Sequence, residues 1–76
     1  MNTTIRKTYR LRLAALMAEK RISCETVSCA LNIPLTTFQN YYYGVSMPGI
    51  ERAAEIAAYF GTSIDYMIGK TEIKRR

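Results

Sequence analysis

The stretch Cys24-Glu25-Thr26-Val27-Ser28-Cys29-Ala30-Leu31-Asn32-Ile33-Pro34-Leu35-Thr36-Thr37-Phe38-Gln39-Asn40-Tyr41-Tyr42-Tyr43 reads as two short helices broken by a tight turn. Ser23 stands before it as an N-cap, because its hydroxyl can accept from the free amides of a helix opening at Cys24. That helix carries Val27, Ser28 and Leu31 on one face. It stops at Asn32, which tolerates the left-handed conformation nearly as well as glycine. Ile33-Pro34 is a break and a restart, since proline suits a first helical turn and not an interior. The next helix, Leu35 to Tyr43, turns Phe38, Tyr41 and Tyr42 inward and ends at Gly44. Val27, Leu31, Ile33, Phe38 and Tyr41 would lock the pair at a steep angle, with the small Ser28 permitting the close crossing. This is helix-turn-helix packing, in which the second helix is free to enter a DNA major groove.

The same periodicity extends in both directions. A helix from Tyr9 to Lys20 places Leu13, Leu16 and Met17 at helical spacing. Beyond the loop Val45-Ser46-Met47, a helix from Ile50 to Phe60 shows an apolar stripe of Ile50, Ala53, Ala54, Ala57 and Phe60, closed by Gly61. Ser63 caps a last turn, Ile64 to Ile68, ended by Gly69. No strand-like alternation, repeat or low-complexity stretch interrupts this, so the chain is expected to be all-α with five helices. Residues 1–8 read as a flexible basic arm, 9–69 as the domain and 70–76 as a basic tail.

The chain has 76 residues, 49% hydrophobic, with 11 Lys+Arg against 6 Asp+Glu. That length permits one core burying only ~60% of the unfolded surface. No run approaches the ~20 apolar residues of a membrane span, and no membrane partner is expected. Arg12 interrupts Leu11–Ala18 and no small-residue cleavage site follows, so the start does not read as a secretory leader. Histidine is absent. This removes the commonest general base and zinc ligand, so neither an enzyme nor a cofactor is expected. Cys24 and Cys29 would diverge by roughly 140° on one helix, which reads as two free thiols in a reducing cytoplasm.

Charge is unevenly placed. Residues 1–21 hold Arg6, Lys7, Arg10, Arg12, Lys20 and Arg21 against the single acid Glu19, while residues 22–51 hold Glu25 and Glu51 and no base. Lys74, Arg75 and Arg76 close the chain. A polyanion would therefore be drawn mainly to the two ends.

From Leu13 to Gly69, without a gap, the chain resembles the phage-repressor and Cro-like (XRE-type) helix-turn-helix proteins. Ile22-Ser23 opening the second helix, Leu31-Asn32-Ile33 at the turn, Gly44, Pro48-Gly49-Ile50-Glu51 and Ile56 to Gly69 carry the resemblance. It implies a five-helix lambda-repressor-like DNA-binding domain and a transcriptional regulator, a repressor in most cases. Such a protein binds double-stranded DNA as a homodimer. By the same resemblance, Cys24 stands where a phosphate is anchored, and Leu35, Thr36, Thr37 and Asn40 stand where base edges are read. Tyr43 and Gly44 stand where main-chain amides touch the backbone, and Ile64 to Ile73 is the implied dimer surface. A buried Arg–Glu pair of the family maps to Met17 and Tyr42, an exchange of an ion pair for packing.

Asn40 is the strongest base-reading candidate, since a side-chain amide pairs bidentately with adenine. Thr36 and Thr37 offer hydroxyls to a base, a phosphate or the helix start. Leu35 fits either a core stripe or a thymine-methyl contact. Arg6, Lys7 and Arg10 could reach phosphates from the arm. The recognition helix holds no Lys or Arg, although arginine to guanine is the commonest specific contact. Two other readings follow from that neutrality. One is a protein-interaction module of the same fold, antitoxin-like or anti-repressor-like, docking through the tyrosine-rich helix. The other is single-strand binding by stacking on Tyr43 and its neighbours.

Overall fold

The computed structural model describes residues 2–72, with side chains from residue 5 onward. Lys74, Arg75 and Arg76 of the expected tail lie outside the described residues. Five helices follow in order, α1 (Asn2–Lys20), α2 (Cys24–Leu31), α3 (Leu35–Tyr43), α4 (Ile50–Tyr59) and α5 (Ile64–Met67), with no strand among the described residues. The all-α, five-helix class is as the periodicity predicts.

One device ends all of them. A residue in left-handed conformation follows each helix or its last turn: Arg21, Asn32, Gly44, Gly61 and Gly69. Next to each, an amide reaches back to a carbonyl five residues earlier, as in Ile22 to Met17, Ile33 to Ser28 and Val45 to Asn40. Asn32 fills this role as its chemistry predicts, whereas Arg21 carries a Cβ into a region costing about 1–2 kcal/mol. Ser23 accepts from the Thr26 amide and Ser63 from the Tyr66 amide, so both predicted N-caps are made.

Tyr9, Leu13, Leu16 and Met17 of α1 meet Val27, Ile33, Phe38 and Tyr41 of the α2–α3 unit, together with Ala53, Ile56, Ala57, Phe60 and Met67. Ser28 is buried at the α2–α3 crossing, and its hydroxyl donates to the Glu25 carbonyl at 3.0 Å, so the close approach leaves no orphaned group there. Met17 is in the core and Tyr42 packs half-buried against it. The buried Tyr9 hydroxyl donates to the Ala53 carbonyl at 3.2 Å and ties α1 to α4.

Three expectations need correction. α1 begins at Asn2, so residues 2–8 are helix and not a separate arm. Nothing in Asn2 to Thr8 is Gly or Pro, and extending an existing helix costs little compared with nucleating one. In α4, Ile50 and Ala54 face outward and Ile56 is buried in their place. Ile50 is the first helical residue, overhanging the loop, and Ala54 lies about 100° round from the buried Ala53. Phe60 is buried, but as the cap of α4 and not as its last turn.

Candidate nucleic-acid interface

α3 presents the predicted readers on a rigid support. Phe38 and Tyr41 anchor it in the core, their rings edge to face with centroids 6.3 Å apart. Around the remaining surface Thr36 and Tyr43 are exposed, while Leu35, Thr37 and Asn40 are half-buried. Leu35 takes no part in the core cluster, which resolves its ambiguity toward the surface. Pro34 is the N-cap of α3 and makes no side-chain hydrogen bond there. Tyr43 is 68% exposed and leans edge-on against Tyr42, with centroids 5.1 Å apart.

The bases gather at the other end of α3, about 13 Å along its axis from Leu35. Arg6, Lys7 and Arg10 of α1 and Gly44, Ser46 and Met47 of the α3–α4 loop line a cleft of about 320 Å³. Arg6 reaches the Val45 carbonyl at 3.5 Å. Gly44 has a positive φ of 81°, and a Cβ there would stand 2.6 Å from the Cδ of Arg10 and 3.0 Å from its Nε. Glycine is thus required twice at this point, by the backbone and by the arginine lying across it.

The main-chain role expected of Gly44 is not available. Its amide donates within the helix cap to the Asn40 and Tyr41 carbonyls. Val45 and Ser46 donate likewise to Asn40. A closed cap leaves no free donor at Gly44, whose contribution is the space it leaves for Arg10.

Cys24 is the first residue of α2, half-buried and packed against the core cluster. Desolvation raises its thiol above the ordinary range, so it remains a neutral, weak donor. Cys24 and Cys29 are both free thiols.

Arg12 does something the sequence reading did not assign. Its Nη1 donates to the Tyr66 carbonyl at 2.6 Å and the Thr71 carbonyl at 3.0 Å, and its Nη2 pairs with Glu72 at 3.2 Å. The guanidinium also lies 4.2 Å from the Tyr66 ring centre. This arginine brackets α5 and the following segment onto α1 and is not a base waiting for a polyanion. Its spacing held the clue, three residues after Tyr9 and four before Leu16, on the buried face of α1. Ser46 was also missed, because Val45-Ser46-Met47 reads only as a connector.

No helix of the described residues is long and apolar enough to cross a membrane. Comparison with protein-family models, characterised proteins and solved structures finds no match.

Proposed function

We propose that this protein is a sequence-specific, double-stranded-DNA-binding regulator of transcription, acting as a repressor and a homodimer, with α3 in the major groove. The supporting observation is the meeting of a core-anchored helix, with Thr36 and Tyr43 exposed and Asn40 half-buried on its surface, with an acid-free group of bases, Arg6, Lys7 and Arg10, at that helix's end. Phosphate attraction comes from α1, and discrimination comes from Thr36, Thr37, Asn40 and the surface-facing Leu35. With few bases near the groove, affinity is modest and its salt dependence shallow.

Selection from a random duplex library at low salt tests this. Enrichment of an inverted repeat with half-sites about one helical turn apart supports a dimeric regulator. No enrichment by folded protein rejects it.

A second reading has its own support. Tyr43, Val45 and Ile50 are 68%, 68% and 73% exposed, and α3 carries no charge. Such a surface suits a protein partner, and retention of that partner irrespective of salt, with no DNA shift, selects this alternative.

A further inference from the structure

The cleft between α1 and the α3–α4 loop differs from a solvated run of charge. Its lining includes Arg6, Lys7 and Arg10 and no acid. Arg12 and Arg52, by contrast, are engaged inside the molecule, Arg12 with Glu72 and two carbonyls, Arg52 with the Tyr41 hydroxyl at 3.4 Å. The side chains of Lys7 and Arg10 make no hydrogen bond or ion pair with another described residue, and neither does the half-buried hydroxyl of Ser46. Arg10 is nevertheless placed, since its chain crosses Gly44 where a Cβ would collide with it. Arg6 donates to the Val45 carbonyl at 3.5 Å. The loop that floors the cleft is itself fixed, because Val45 and Ser46 both donate to the Asn40 carbonyl.

We infer that this cleft is a seat for one phosphate group, with the guanidinium groups of Arg6 and Arg10 and the Ser46 hydroxyl as donors and Lys7 as a nearby point charge. Arginine forks suit tetrahedral oxyanions, and charge-assisted bonds of this type are the strong ones. The inference rests on the DNA reading for its source, a backbone phosphodiester of the duplex that α3 enters. Free phosphate is the other source of the same chemistry.

The test is the salt dependence of duplex binding by the full chain and by Arg10→Gln, Arg6→Gln and the double variant, with helicity confirmed for each. Arg21→Gln removes the same charge from an exposed position outside the seat. Arg10→Gln is expected to make the slope of log affinity against log salt shallower by about one, and to weaken selected and random duplexes equally. Arg21→Gln is expected to leave the slope unchanged. If Arg10→Gln and the double variant keep the wild-type slope, or if Arg21→Gln lowers it equally, the seat is rejected.

If the wild-type protein binds no duplex at any salt, the DNA reading fails by itself and inorganic phosphate decides the seat. A saturable shift of the Arg10 Nε–Hε resonance with phosphate, absent with chloride and lost in Arg6→Gln, retains the seat for free phosphate. No such shift rejects it.

Discussion

The carbonyl oxygen of Asn40 lies 2.8 Å from the amide nitrogen of Val45. The residue whose side chain is the candidate base reader thus holds, by its main chain, the loop beneath the basic cleft. A side-chain substitution leaves that carbonyl in place, so reading and anchoring are separable by mutation.

Asn40→Ala is expected to cost about 1–3 kcal/mol of binding to a selected duplex and to relax one base position. The salt slope should not move. Competition against a duplex randomised at each position measures both, and unchanged preference at every position would remove Asn40 from the interface.

Gly44→Ala should destabilise the fold by about 1–2 kcal/mol, because alanine must occupy the left-handed region at φ +81°. Arg10 must also move, since the new methyl group would stand 2.6 Å from its Cδ. Urea denaturation reads the first effect. The second predicts that any duplex affinity falls as it does in Arg10→Gln, and native-like stability together with native affinity contradicts the crowding.

Arg12→Met is expected to cost about 1.5–3 kcal/mol, from the loss of charge-assisted bonds to two carbonyls. Glu72→Gln should cost less than about 1 kcal/mol, because the Glu72 side chain is 88% exposed and such a pair is screened. Equal losses in the two variants would mean that the ion pair, and not the pair of carbonyl bonds, holds α5 to α1.

Tyr9 makes stability fall at high pH. Burial raises its phenol far above the ordinary value of 10.0, with neighbouring Tyr41 adding to the shift. The folded state therefore holds that proton more tightly than the unfolded chain does. The contribution is complete below about pH 10, where the unfolded phenol titrates, and is lost as pH rises through the folded value. Tyr9→Phe should cost about 1 kcal/mol at neutral pH through the lost bond to Ala53 and should decline less above pH 10. Parallel declines in chemical denaturation would assign the alkaline loss to other groups.

Local chemistry was the legible part of the sequence. Ser23, Asn32, Gly44 and Ser63 each act through neighbours a few residues away, and all four sit where turn and cap chemistry places them. Ile50 and Ala54 were misplaced because a stripe at helical spacing does not say where along a helix the core begins. Arg6 and Arg10 stand 40 and 36 positions before Ser46 in sequence, so their meeting with it follows from how α1 crosses the end of α3. Periodicity carries no information about that crossing. Arg12 is the clearest case, a charge on the buried face of α1 whose partners are 54 to 60 positions away.

Those distant partners bear on how the protein is made. α1 leaves the ribosome ahead of α2 to α5, so Arg6 waits for Val45, Tyr9 for Ala53 and Arg12 for Tyr66, Thr71 and Glu72. The α2–α3 hairpin can close early, because its contacts are local. α1 has its full set of partners only once Glu72 has been added. During synthesis the first helix is an unfinished amphipathic strand of helix, open to chaperones and proteases until translation has passed that residue.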